Sequence, residues 1–495
     1  CNGTKKEMKE INLGISQQTL VSNDDQSVPA KRLPQYVASL AATLGALAAG
    51  MSLAWTSSAG DDGENLQSLY GVPISPEEFS WISSITAIGT AVMCIPVGIL
   101  ADAIGRKFSM LLMVIPFTLG WLLLIFANNL IMFYAGRFIT GLSSSAFSVV
   151  APIYTAEIAE NEIRGTVGSY FQLLLTIGIL LSYIFGTFVD MRVLSIISGI
   201  VPVIFFGIFM FMPESPVYYL KKGDEDSAKK SLTRLRGIQY NIENELRNQK
   251  HALEECNQNT TSFWTIIKSN AALKGFIIAY GLMFFQQLCG VNVVIFYTNG
   301  IFKKAGSGLD PHYSTIIVGA IQVLAVFVST LIVDRIGRKI LLLASIIFLA
   351  LTTCTLGVHF YLLENQGTSI TWLPLTSICI FIIMFNMGFG PVPWLMMGEI
   401  FAPEIKGVAA SSACLLNSVL VFIVTKFFIN VSMAIGTGET FWLFTVICVI
   451  GTSFVYLLVP ETKGKSLEEI QKELNAIYIS LTQVTEVFER VFHNK

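Results

Sequence analysis

Twelve separate apolar runs, each long enough to cross a bilayer, restrict this chain to one kind of architecture. They cover roughly 37–57, 79–101, 108–127, 131–153, 166–189 and 194–212, then 275–302, 313–333, 340–362, 374–401, 408–431 and 439–459. About 20 apolar residues in a helix match the ~30 Å hydrocarbon core. Composition agrees: 53% of the residues are hydrophobic, 13% are charged and the mean hydropathy is +0.63. Soluble domains carry about 25% charged residues. The chain reads as an all-α membrane protein whose first partner is the lipid bilayer. The net charge of −2 is uninformative, and no nucleic acid or obligate protein partner is expected.

The runs fall into two sets of six around a polar insert. The expected division is an N-terminal tail (1–36), a six-helix half (37–212), a linker (213–274), a second half (275–459) and a C-terminal tail (460–495). Within the linker, Asp224–Glu255 reads as one or two short surface helices. Arg106, Lys107, Arg164, the cluster from Lys221 to Lys274, Arg335, Arg338 and Lys339 all fall in even-to-odd connections. The first loop instead carries Asp61, Asp62, Glu64, Glu77 and Glu78. Cationic loops stay on the cytoplasmic side, so both termini are expected there, in the plasma membrane by default. Lys303, Lys304 and Lys426 lie at the opposite span ends, where snorkelling accounts for them. The polar segment before the first run leaves no cleavable signal peptide.

Six of the eight cysteines (94, 289, 354, 379, 414 and 448) lie in apolar runs, and Cys1 and Cys256 in polar segments. That is neither a disulfide framework nor a metal spacing. The four histidines (251, 312, 359 and 493) are scattered. With no nucleophile–base set, no Walker-type motif and no filter repeat, enzyme, ATP-driven pump and channel readings are disfavoured, and no cofactor or metal is expected.

Inside the seventh run, Gln286, Gln287, Asn292 and Tyr297 supply uncharged hydrogen-bonding groups. Buried amides are costly unless paired, so they face a neighbouring helix or a water-filled cavity. On a straight helix Gln287 and Asn292 lie roughly 140° apart. Gly290 stands between them, where a break lets the amides converge on one ligand. The alternative is interhelical bonding.

An internal repeat links the halves. Asp102-Ala103-Ile104-Gly105-Arg106-Lys107 recurs as Asp334-Arg335-Ile336-Gly337-Arg338-Lys339. Glu157 before Arg164-Gly165 recurs as Glu399 before Lys406-Gly407, and Pro213-Glu214 as Pro460-Glu461. Two parallel six-helix halves follow. The acids Asp102, Glu157, Glu214, Asp334, Glu399 and Glu461 and the bases Arg106, Arg164, Arg338 and Lys406 are expected to latch the halves on the cytoplasmic side, as a gate. Plain anchoring of the bases at the membrane surface would not require the paired carboxylates.

With Gly136-Arg137, Pro152-x-Tyr154-x-x-Glu157, Gln286-Gln287-x-x-Gly290-x-Asn292, Gly390-Pro391-x-Pro393-Trp394 and Pro460-Glu461-Thr462-Lys463-Gly464, these motifs resemble the sugar porter family of the major facilitator superfamily. The resemblance covers about Pro34 to Ile470, and insect facilitated trehalose transporters are the most similar branch. It implies a midplane site for a neutral sugar at Gln172, Gln286, Gln287, Asn292, Gln322, Asn386, Trp394 and Asn417. Neutral amides donate and accept as sugar hydroxyls do, and an indole adds an apolar face and one N–H. The Gly388–Pro393 run should loosen its helix for gating.

Departures from the family pattern are informative. Gln322 replaces an Asn, Asn386 a Glu, and Lys406 an Arg with bidentate reach. Ser418 stands where glucose transporters often carry Trp, which would leave room for a disaccharide. Proton-coupled relatives carry an Asp in the first span, whereas here Gly50-Met51 leads to Ser52 and that span holds no carboxylate. Facilitated diffusion of trehalose is therefore expected, with a glucose or hexose facilitator as the alternative and a non-transporting sugar sensor as the rival of another class.

Overall fold

The computed structural model describes residues 30–160, 162–258, 270–306, 308–367, 370–401, 403–465, 469–470 and 472–474. Side chains of Asp334 and Lys406, both expected in the gate, lie outside the described set. The first half comprises α1 (Leu33–Ala54), α2 (Glu64–Tyr70), α3 (Pro76–Ile104), α4 (Arg106–Ile125), α5 (Leu130–Ile158), α6 (Arg164–Phe188) and α7 (Met191–Phe209). Linker helices α8 (Pro216–Lys221), α9 (Glu225–Arg236) and α10 (Ile242–Gln258) follow. The second half comprises α11 (Asn270–Leu288), α12 (Val291–Ala305), α13 (Pro311–Ile336), α14 (Arg338–Gln366), α15 (Leu373–Met387), α16 (Val392–Ile400), α17 (Pro403–Ile435) and α18 (Thr437–Leu458).

Among the described residues, twelve spans are long and apolar enough to cross a membrane, and their limits agree with the sequence reading to within a few residues. Two are each built from two helices, α11 with α12 and α15 with α16. Local chemistry sets the ends. Before α3, Ser75 and Glu78 form a capping box, with Pro76 in the first turn. α2 lies inside the acidic first loop, where Leu66, Leu69 and Tyr70 share one face and pack on the core.

Lipid is as apolar as leucine, so helices in a bilayer gain by close packing of small residues. A Cβ added at Gly50 would lie 2.0 Å from the Leu175 carbonyl oxygen, and one at Gly178 2.1 Å from that of Leu47. α1 and α6 thus cross almost backbone to backbone. α3 and α5 do the same at Gly89 and Gly141.

The halves meet along α3 with α17 and α6 with α13, and where α12 touches the 3₁₀ turn Trp55–Ala59. That last contact lies at the acidic end, beside the first loop. At the basic end, α11 and α16 pack on α14, α17 and α18 of their own half. Among the described residues, the polar contacts between the halves lie at the acidic end or near mid-length, at Cys94. The halves are therefore joined by polar contacts from the acidic end to mid-length, and among the described residues no polar contact joins them at the basic end.

Candidate functional site

Two helix breaks create the polar centre. Gly290 adopts φ +92°, ψ +10°, ending α11 and capping α12, as its position between the amides predicted. Only glycine takes this conformation without strain, and an added Cβ would also press on Phe444 at 3.0 Å. In the tenth span, α15 stops before Gly388 and α16 starts after Pro391. The break leaves the Phe389 and Gly390 carbonyls without partners in the helix, and Gln286 Nε2 donates to both, at 2.6 and 3.0 Å. Its Oε1 accepts from Asn417 Nδ2 at 2.8 Å and from Gln287 Nε2 at 3.3 Å. Asn292 Nδ2 donates to Gln287 Oε1. Four of the eight expected residues thus form one amide chain across spans seven, ten and eleven.

The donor and acceptor count separates their roles. An amide offers two N–H donors and two acceptor sites, and Gln286 uses all four within the protein. It is the connector in this state. Asn292, Asn417 and Gln287 each keep unused positions. Gln322 is 3% exposed yet makes no side-chain hydrogen bond among the described residues, and Asn386 uses only Nδ2, toward the Ile382 carbonyl. The unpartnered Oδ1 atoms of Asn292, Asn417 and Asn386 and the amide atoms of Gln322 are not fully enclosed. Trp394, on α16, is 42% exposed, and Gln172, on α6, is half-buried with no side-chain bond.

Tyr297 departs from the cluster. Its hydroxyl donates to the Thr425 carbonyl at 3.0 Å, its ring packs on Phe79 and Phe428, and it lines a pocket at the acidic end. Ser418 also departs from expectation. It is buried, 3.9 Å from Cys94 Sγ on the facing helix α3. In this arrangement its neighbour is a side chain of the other half.

Arg137 is fully buried without a carboxylate. It donates to the Ile82 and Ser52 carbonyls at 3.1 and 2.7 Å and to Ser52 Oγ at 3.4 Å. Its guanidinium lies 5.3 Å from the Trp55 ring centroid, and Nη2 has no partner. The residue absent from span one is absent from the guanidinium's surroundings too.

Among the residues whose side chains are described, no ion pair of the expected latch joins the halves at the basic end. Arg106 binds Glu157 through Nε at 3.0 Å and Nη2 at 2.9 Å, and Asp102 through Nη1 at 2.9 Å, all within the first half. Arg338 binds Glu399 at 2.9 Å within the second. Glu214 accepts from the backbone N–H groups of Arg106 and Lys107, and Glu461 from those of Arg338 and Lys339. The repeat is structural: Gly105 and Gly337, at φ +99° and +110°, turn the chain so that each carboxylate caps a helix. A Cβ would meet Glu214 at 2.3 Å and Glu461 at 2.8 Å. Arg164 is exposed and makes no ion pair among the described residues. The physical reason is local: the tight turns at Gly105 and Gly337 hold each base beside an acid of its own half. Burial pushes the Glu214 carboxyl up against its N–H bonds. Burial raises Glu461 as well, but its N–H bonds together outweigh that and hold it low.

The seal lies at the acidic end, in residues the snorkelling argument set aside. Lys303 pairs with Glu64 at 2.8 Å across the halves. Lys426 is only 5% exposed, donates to Ser80 Oγ at 2.7 Å and lies 4.7 Å from the Trp81 ring centroid. A charged hydrogen bond contributes about 1.5–3 kcal/mol. Lys426→Met is expected to raise labelling of S57C by a membrane-impermeant thiol reagent about tenfold from that side. Unchanged labelling would remove Lys426 from the seal.

A profile described as "Sugar (and other) transporter" matches residues 37–474. The facilitated trehalose transporter Tret1 of Polypedilum vanderplanki is 40% identical over 445 residues, 89% of this chain and 88% of that protein. Its Bombyx mori counterpart is 38% identical over 89% of this chain and 87% of its own length. Among solved structures, the E. coli xylose transporter XylE in an inward-open conformation superposes with TM-score 0.74 at 24% identity, over 88% of this chain and 98% of that one. XylE bound to 6-bromo-6-deoxy-D-glucose, described as a proton:xylose symporter, gives 0.73 at 23% over 89% and 99%. The fold is that of the major facilitator superfamily, and the chain belongs to the sugar (and other) transporter family.

Proposed function

We propose that this protein is a facilitative carrier of a neutral sugar, trehalose first, working by alternating access. The observation that carries the reading is the amide set. Asn292, Gln287, Asn417, Gln322 and Asn386 hold unused hydrogen-bonding positions. Uncharged donors and acceptors suit sugar hydroxyls and demand no counter-charge. Gln172 and Trp394 complete the site from the flanks, with Gln286 holding it together. Trehalose is favoured because relatives at 38–40% identity are named facilitated trehalose transporters. Uniport is favoured because the guanidinium of Arg137 has carbonyl and hydroxyl partners and no carboxylate to carry a proton. The loop charges support cytosolic termini, so the basic end faces the cytosol, and the plasma membrane is the proposed location. Functionally, 37–212 and 275–459 act as the two moving halves, with 213–274 joining them. The ion-pair arrays at the basic end re-pair between halves when that end closes.

Radiolabelled uptake in cells lacking their own sugar carriers tests this, with trehalose and glucose in parallel at pH 5.5 and 7.5. Saturable trehalose uptake that varies less than twofold with pH and reverses with the gradient is expected. Glucose uptake alone would replace the substrate with a hexose. Alkalinisation of the medium during uptake would overturn uniport. Ligand protection against heat without any uptake would make the protein a sensor.

A further inference from the structure

Two cysteines that the sugar site does not use meet across the halves. Cys94 on α3 and Cys414 on α17 place their Sγ atoms 3.2 Å apart. No other pair of described cysteines makes such a contact. We propose that this pair is an oxidisable lock: a disulfide between Cys94 and Cys414 ties the two halves together and arrests transport. The arrest rests on the alternating-access reading above, whereas formation of the bond does not.

A disulfide requires a sulfur separation of about 2.05 Å. The gap closes by about 1 Å, within reach of small χ1 rotations in two short side chains. Nothing bulky stands between the helices: Ser418, one turn beyond Cys414, is itself small and lies 3.9 Å from Cys94 Sγ. The register is antiparallel and continuous, with Lys426 on Ser80, Phe422 against Trp81 and Cys414 on Cys94. The sulfurs therefore sit inside the contact along which the halves must shift, and a covalent bond there holds α3 and α17 in one fixed register.

The oxidant is a small uncharged peroxide, able to enter a protein interior. Hydrogen peroxide converts one thiol to a sulfenic acid with release of water. The second thiol attacks that sulfur, forms the S–S bond and releases a second water. Two thiols and one peroxide give one disulfide and two waters. A dithiol reductant reverses the change by exchange.

The test uses the full chain in proteoliposomes, with a protease site inserted between residues 258 and 270. After peroxide and proteolysis, the two halves are expected to migrate together on a non-reducing gel and to separate after dithiothreitol. Uptake is expected to fall at least tenfold and to recover within twofold on reduction. C94S and C414S should keep uptake and lose both effects, with C94A and C414A in reserve if the serine variants fold poorly. Halves that separate after peroxide, or sensitivity that survives in either variant, would overturn the lock. Cross-linked halves with undiminished uptake would overturn the arrest. A chain that moves no sugar yet still cross-links would fail the transport reading alone, because the gel needs no substrate.

Discussion

Gln286→Ala is expected to reduce the maximal uptake rate about a hundredfold, with a smaller effect on apparent affinity. The side chain makes four hydrogen bonds, and two of them satisfy the carbonyls freed by the break at Phe389 and Gly390. Leaving a buried carbonyl unpaired costs about 1–3 kcal/mol, so the two together reach about 2–6 kcal/mol. That cost falls on the geometry linking α11, α16 and α17, and not on one contact with a ligand. Gln287→Ala is the control. It removes one neighbour of Gln286 and leaves both carbonyls capped, so its expected effect is about a tenfold rise in KM. Initial rates over a range of sugar concentrations, with melting curves of the purified proteins, separate the two. A pure KM effect for Gln286→Ala, with no fall in melting temperature, would make that residue a ligand contact and remove its connecting role.

Ser52→Asp is expected to turn a pH-indifferent carrier into one whose uptake changes tenfold or more between pH 5.5 and 7.5. Ser52 is the residue that Arg137 already touches, through the carbonyl at 2.7 Å and the hydroxyl at 3.4 Å, and Nη2 of the guanidinium stands unpaired. A carboxylate introduced there is an ion-pair partner when ionised and a neutral acid when protonated. Because the groove opens to one side at a time, that proton exchanges with one compartment at a time, which couples it to the conformational cycle. Uptake with a tenfold pH dependence and measurable proton movement is the expected outcome. Indifference to pH in the variant would mean that the surroundings of Arg137 do not change between states, and the uniport argument from its missing partner would fall with it.

Neighbours from other helices decide what Lys426, Ser418 and the acids and bases of the basic end do. Lys426 lies at the end of a span, which on a helix surface means snorkelling; a facing helix that supplies Ser80 and Trp81 makes it a buried seal. Ser418 is small, which suggested a roomier site; in the structure it lies beside Cys94 of the other half. The basic-end acids and bases form a repeat, which suggested a clasp between halves; in this arrangement the tight turns at Gly105 and Gly337 bring the described pairs together inside each half. In every case the residue type was legible, and the identity of the neighbour was not.

The division follows from physics. A bilayer imposes its thickness on the chain, so span number, limits and repeat are local properties that twelve apolar runs determine by themselves. Helix breaks are local too: Gly290 and the Gly388–Pro391 run announce themselves because a positive φ or a missing N–H belongs to the residue. The amide chain through Gln286, the seal at Lys303 and Lys426 and the sulfur pair at Cys94 and Cys414 join residues more than 100 positions apart. Such contacts depend on which halves of which spans are pressed together, and in a molecule that works by moving one half against the other, that arrangement belongs to the state of the fold and not to the sequence of any one helix.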